Sequence, residues 1–179
     1  MMEEMSVSDS ILVTYSTLYG STREVAEAIA STLREQGVKV AVQPVRDVQS
    51  LADYRAVVMG APLYIGKLRK DAHRFLSQHR EALTQRPVAF FALGPLDSDE
   101  KGMQGSRAEL DKELAQYPWL RPVALEMFVG KYDPATLTLV HKLLARFPVS
   151  PLYKLPASDH RDWNAIRAWA NGLPAKLGL

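Results

Sequence analysis

The sequence predicts an α/β fold: a doubly wound sheet of five parallel strands, order 2-1-3-4-5, between two layers of helices in a three-layer α/β/α sandwich. Three observations predict it. Short β-rich runs alternate with segments of helical periodicity along the chain. The strand runs lack the apolar-polar alternation of a sheet with one wet face, so helices are expected on both sides. The 179 residues suit one compact domain, 1–179, with no internal repeat, low-complexity tract or interdomain linker. Such a chain buries about 70% of the surface its unfolded form exposes, enough for a core without disulfides or a structural metal.

The first strand is read at 11–15, where Ile11, Leu12, Val13 and Tyr15 lead into the small polar Ser16 and Thr17. A helix follows, with Val25, Ala26, Ile29, Ala30 and Leu33 on one face. Ser21 is expected to cap it, with Glu24 three residues on, and Gly37 to end it. Residues 38–42 read as the second strand, and 56–59 as the third, stopped by Gly60. Further along, a helix is expected within 71–83, a strand over 88–93, a helix over 106–116 and the fifth strand over 123–129. The tail adds helices over 135–147 and 161–171. The stretch 94–106, rich in Gly, Asp and Ser, is expected to be a functional loop beyond the fourth strand.

Composition narrows the chemistry. With no cysteine, a thiolate nucleophile, a Cys-ligated cluster and a CxxC redox pair are excluded, so any redox chemistry must come from a bound organic cofactor. The start, Met1 to Met5, is acidic and no run of 18 apolar residues occurs; a cytoplasmic protein that does not span a membrane is expected. Basic residues are dispersed, which argues against nucleic acid as a partner. His73, His79, His141 and His160 have no metal-ligand spacing and no general-base arrangement; they are expected at the surface or an interface, and neither a metal nor a catalytic side chain is assigned. Trp163 and Trp169 are expected to be packing anchors.

The loop after the first strand, Ser16, Thr17, Leu18, Tyr19, Gly20, Ser21 and Thr22, places hydroxyls and backbone N–H groups at a helix N-terminus, where a phosphate is well held. Gly20 permits close approach of the backbone to a ligand. The same residues also suit a plain cap and strand end, and the residues alone leave both open. Neither better-known phosphate loop is present: GxGxxG would need more than the one glycine here, and residues 60–67 have five residues between Gly60 and Gly66-Lys67 instead of four.

From Val13 to Ile29 the sequence resembles the FMN-binding segment of flavodoxins, with Tyr15, Thr17, Gly20, Thr22, Ala26 and Ile29 at the pattern's positions; Thr14 stands where flavodoxins carry a bulky apolar residue. The resemblance implies a flavodoxin-like fold, FMN as cofactor, and residues 17–22 around its phosphate. It also implies that the isoalloxazine lies between the loops after the third and fourth strands. These are Ala61, Pro62, Leu63, Tyr64, Ile65 and Gly66, and then Leu93, Gly94, Pro95 and Leu96. Tyr64 is suited to stack on a flat ring, although Leu63, Tyr64 and Ile65 also suit packing against helices.

The net charge of +2 and pI near 8.8 differ from the strongly acidic electron-carrier flavodoxins. Residues 134–158 contain no acid, but hold His141, Lys142, Arg146 and Lys154 among Leu137, Leu139, Val140, Leu143, Leu144 and Phe147. Such a segment is either a core helix on the sheet, a peripheral contact with an anionic membrane, or the wall of a site for a large apolar substrate. These features are similar to the menaquinone-dependent protoporphyrinogen IX dehydrogenases, flavodoxin-fold enzymes of haem synthesis. The match is carried by Tyr15-Ser16-Thr17, Gly20, Thr22-Arg23-Glu24, Gly60-Ala61, the 137–147 segment and Asp162-Trp163. The resemblance implies an FMN oxidoreductase acting on a small-molecule substrate with a quinone as acceptor. The alternative is an electron carrier serving a redox partner protein. A receiver module on the same fold would need an aspartate where Gly60 and Ala61 stand.

Overall fold

The computed structural model describes residues 8–96, 99–150 and 153–179; the acidic start and Asp97 of the expected 94–106 loop lie outside them. The elements in order are β1 (Ser10–Tyr15), α1 (Ser21–Glu35), β2 (Lys39–Pro44), β3 (Ala56–Pro62), α2 (Lys70–Gln78), α3 (Arg80–Thr84), β4 (Val88–Leu93), α4 (Glu100–Leu114) and β5 (Ala124–Phe128). The tail adds β6 (Lys131–Tyr132), α5 (Leu139–Leu144), β7 (Ser158–Asp159) and α6 (Trp163–Leu177). Five parallel strands pair in the order β2-β1-β3-β4-β5, as expected, and β6 and β7 form a separate antiparallel ribbon.

The central strands β1, β3 and β4 are buried along nearly their whole length because both faces of the sheet are covered. On one side Ile11, Val13, Val58 and Phe91 pack against Val25, Ile29 and Leu33 of α1 and Ile166, Ala170 and Leu173 of α6. On the other, Leu12, Val57, Met59 and Phe90 meet Phe75 and Leu76 of α2, Leu83 of α3 and Leu110 of α4. Trp169 stands edge-on to Phe91 and Phe128, with ring centroids 6.0 and 5.8 Å away. Gly37 ends α1 as expected: at φ 81° it brings its own N–H to Arg34 O and that of Val38 to Leu33 O.

Several expectations are corrected. Gly60 does not stop β3, which runs on through Ala61 to Pro62, so these two expected loop residues are strand residues. The glycine is there because the Phe91 ring of the adjacent strand occupies the space of its side chain: a Cβ at Gly60 would lie 2.0 Å from Phe91 Cζ. Gly60→Ala is therefore expected to cost about 1–3 kcal/mol by overpacking, read as a lowered urea midpoint. The expected 71–83 helix is broken at His79 into α2 and α3. Most of the expected 94–106 loop is helix: Asp99 caps α4, its Oδ2 accepting from Gly102 N–H at 3.1 Å, so the helix starts at Glu100 despite two glycines. The expected 135–147 helix shrinks to a 3-10 turn, Pro134–Thr136, and the short α5, none of whose residues is buried. The reading of it as a core helix is thereby overturned. At the other end, α6 passes its expected stop at Asn171 because Leu173 and Leu177 stay buried. Among the described residues no helix is long and apolar enough to cross a membrane.

Candidate functional site

The strands end at one edge of the sheet, and the loops after β1, β3 and β4 bound a cavity of about 1250 Å³ there. The excursion between β6 and β7 forms a further wall through Leu137, His141, Leu144, Phe147 and Val149. A smaller cavity, about 240 Å³, lies against the loop after β1 and reaches Thr17, Gly20, Arg23 and Arg46.

That first loop is tied down on both sides. Ser16 donates its N–H to Gly60 O at 2.9 Å and its hydroxyl to Asp71 Oδ1 at 2.7 Å. Gly20 adopts φ 89° and donates its N–H to Thr17 Oγ1 at 2.9 Å. Ser21, expected to cap α1, instead opens it as its first residue, since the left-handed Gly20 holds the cap position without a side-chain bond. The N–H groups of Thr17, Leu18, Tyr19, Ser21 and Thr22 therefore have no backbone partner among the described residues. Thr22 Oγ1 is buried without one as well, and so is Thr14 Oγ1 on β1. Arg161 braces the start of α1 from β7: its guanidinium meets Glu24 at 2.6 Å, Asp159 at 2.7 Å and Ser21 O at 3.2 Å. Burial alone would lower the Arg161 pKa, but Asp159 and Glu24 raise it.

The loop after β3 is a tight hairpin. Tyr64 and Lys67 exchange both backbone hydrogen bonds, at 2.8 and 2.9 Å, around Ile65 and Gly66, both at positive φ, 49° and 69°. Glu113, buried on α4, fastens the base of this turn. It accepts from Leu68 N–H at 3.0 Å, Lys67 Nζ at 3.1 Å and Gln116 Nε2 at 3.1 Å, and pairs with His73 Nε2 at 3.2 Å. Burial pushes its carboxyl upward, but the Leu68 N–H, the Lys67 ammonium and His73 outweigh that and hold it below the usual carboxylate range. Tyr64 faces Tyr19 edge-on at 6.1 Å; burial first, then Tyr19, pushes its phenol well above the ordinary value against Arg69, so it stays protonated. After β4, Gly94 N–H bonds Phe128 O at 2.9 Å, and a Cβ there would fall 2.7 Å from Met127 Sδ.

Of the expected site residues, Leu18, Tyr19, Ser21, Leu63, Tyr64, Ile65, Gly94 and Leu96 meet around the large cavity, while Thr17 and Gly20 border the small one with Leu18. Ser16, Thr22, Ala61, Pro62 and Leu93 are buried behind them, and neither Gly66 nor Pro95 lines either space. The structure also brings in residues that sequence reasoning did not place. Arg69, Lys70, Arg74, Lys131 and Tyr132 line the large cavity. His141, expected at the surface or an interface, is drawn to it by a hydrogen bond between its Nδ1 and the Tyr19 hydroxyl. Only the basic, acid-free composition around it signalled His141, and composition does not specify a contact across 122 positions.

The sequence matches the family model described as Flavodoxin domain across residues 12–156. The chain belongs to the flavodoxin-domain family. Among its relatives, a protoporphyrinogen IX dehydrogenase (quinone) of Leishmania major is 26% identical over 182 residues, 95% of this chain and 77% of that one. One of the same description from Escherichia coli K12 is 32% identical over 143 residues, 74% of this chain and 78% of that one. Solved flavodoxins share the fold. A short-chain flavodoxin associated with a PDU bacterial microcompartment has a TM-score of 0.59 at 16% identity, covering 94% of this chain and 98% of its own. A flavodoxin from the domain Archaea has 0.57 at 15%, covering 95% and 99%. The cofactor of this flavodoxin domain is FMN. The residues present fit it: five unpaired N–H groups and an orphaned buried threonine hydroxyl at a helix N-terminus are the donor set that a phosphate monoester satisfies.

Proposed function

We propose that the chain is an FMN-dependent oxidoreductase that dehydrogenates protoporphyrinogen IX, or a tetrapyrrole much like it, and delivers the electrons to a quinone. The observation that carries this reading is the size of the cavity and the nature of its added wall. At about 1250 Å³ it exceeds the roughly 300–1,000 Å³ of a site for one drug-sized ligand. A second large molecule therefore has room beside the cofactor. Leu137, Leu144, Phe147 and Val149 offer that molecule an apolar face, and Arg69, Lys70 and Arg74 offer carboxylates a counter-charge. The protoporphyrinogen dehydrogenase relatives support the same assignment.

The protein's own part is binding and placement. The backbone N–H groups of Thr17, Leu18, Tyr19, Ser21 and Thr22 hold the phosphate, with Thr17, Ser21 and Thr22 adding hydroxyls. Leu18, Leu63 and Leu96 keep water from the ring, and the protonated Tyr64 phenol serves as a donor. With His141 in the tautomer whose Nδ1–H donates to the Tyr19 oxygen, Nε2 is the unprotonated atom that takes up a proton from the substrate. FMN supplies the two-electron acceptor.

Protein purified without added cofactor is expected to show a flavin absorbance spectrum and to convert protoporphyrinogen to fluorescent porphyrin with menadione as acceptor. A flavin-replete preparation without turnover would remove the enzyme reading and leave a one-electron carrier, recognised by widely separated one-electron potentials. A colourless preparation unable to take up FMN would remove both.

A further inference from the structure

β1 stands between β2 and β3 in the sheet, so the two cavities flank the loop after β1 on opposite sides. The large one extends toward the loops after β3 and β4. The small one is bordered by Tyr15 and Pro44, the paired last residues of β1 and β2, and by Thr17 and Gly20 of the loop itself. Leu18 and Asp71 border both spaces, which therefore adjoin. Two arginines complete the small cavity: Arg23 from the first turn of α1, and Arg46 from the 3-10 turn Val45–Asp47 that follows β2. Their ion pairs are long and exposed, Arg23 with Glu27 at 3.9 Å and Arg46 with Asp47 at 3.8 Å, and a better-placed anion displaces such partners at little cost. Asp71, the carboxylate in the same space, is already engaged. Its Oδ1 accepts from the Ser16 hydroxyl at 2.7 Å, Ala72 N–H at 3.0 Å and Arg69 Nε at 3.3 Å.

The phosphate is the last group of FMN, so whatever reaches the two arginines must be joined through it. In dinucleotide-binding sheets the phosphates sit at the loop after the first strand, and the adenosine ribose is held from the end of the strand beside it. Here that strand end carries Pro44 and Arg46. We infer that the cleft also accepts FAD, with its flavin half placed as FMN is and its adenylate half across the loop in the small cavity, the second phosphate against Arg23 and Arg46. The volume of about 240 Å³ amounts to roughly eight waters, room for a ribose phosphate, and the adenine stays at the surface. A GxGxxG loop brings backbone N–H groups onto both phosphates of a dinucleotide; the single glycine of this loop leaves the second phosphate to side chains. The inference rests on the phosphate cradle proposed above.

The test is calorimetric titration of the flavin-stripped full chain with FMN and with FAD. Both are expected to bind, FAD within about ten-fold of FMN. Arg23→Ala combined with Arg46→Ala should weaken FAD by about ten-fold or more and FMN by less than about three-fold, with the melting temperature of the flavin-free protein unchanged because both side chains are exposed. Arg23→Lys combined with Arg46→Lys keeps the charge and should retain part of the FAD affinity that the alanines lose. Binding of FMN without FAD overturns the inference and leaves the cradle standing. A double alanine variant that binds FAD as wild type does overturns it as well, since the adenylate then lies elsewhere. So does an equal loss for both flavins, which would assign the arginines to the FMN phosphate itself. Binding of neither flavin removes the cradle and the inference together.

Discussion

Glu113→Ala is expected to lower the unfolding free energy by about 2 kcal/mol, because it leaves the buried Leu68 N–H unpaired and takes the carboxylate from His73. Lys67 can return to water, its side chain being 65% exposed, so most of the loss falls on the Leu68 N–H and on His73. Glu113→Gln keeps the shape and tests the charge. The Glu113 carboxyl lies below its ordinary value in the folded chain, so its stabilising contribution is present above the unfolded carboxylate pKa and is lost as pH falls through the lower, folded one. Urea midpoints measured from neutral pH down through the carboxylate range should fall less steeply in Glu113→Gln than in wild type. Part of the slope should remain, since Asp159 is depressed in the same sense, chiefly by its hydrogen bond from Arg161. Identical slopes in the two proteins would show that Glu113 carries no such linkage. Because Glu113 fastens the base of the 64–67 turn, the Ala variant should also bind FMN more weakly.

Thr22→Val is expected to act with opposite signs on the empty and loaded protein. Its hydroxyl is buried without a partner, so an isosteric methyl should leave the apoprotein as stable or more so. If that hydroxyl bonds the cofactor phosphate, its loss removes a hydrogen bond to a charged group, about 1.5–3 kcal/mol, or roughly 10- to 100-fold in FMN affinity. Thr14→Val is the internal control. Thr14 Oγ1 is orphaned in the same way but lies within β1, away from the helix N-terminus that Thr22 occupies, so its replacement should raise stability with FMN affinity unchanged. Fluorescence titration of FMN with the three apoproteins, beside their melting curves, decides the matter. Equal affinities would take Thr22 out of the phosphate cradle.

The parts legible in the sequence are those written in local pattern. Ile11 to Tyr15, the Val25–Leu33 face and the Val88–Leu93 run carry strand or helix periodicity in consecutive residues, and with them the sheet and its order were expected correctly. The loop after β1 was legible for the same reason, since its donors are neighbours in the chain. What escaped depends on contacts between distant residues. Gly60 reads as a breaker until Phe91 is set over it. Gly102 and Gly105 read as loop until Asp99 caps the helix that contains them. Strands as short as Lys131–Tyr132 and Ser158–Asp159 have no period at all, and what holds them is each other and Arg161. His141 and Glu113 differ in no local way from other histidines and glutamates, and acquire their roles only from Tyr19 and Leu68.

Tyr132 and Ser158 are register partners in the two-stranded ribbon, so all that lies between them is, topologically, the loop of a single hairpin. Such a segment can lengthen, shorten or be exchanged while the frame on either side keeps its registration. Excising it and joining the ribbon by a tight turn would leave the layered scaffold whole and its cofactor cleft open to water. Diversification of what this scaffold accepts would then need changes in one removable arm, with the flavin cradle left as it stands.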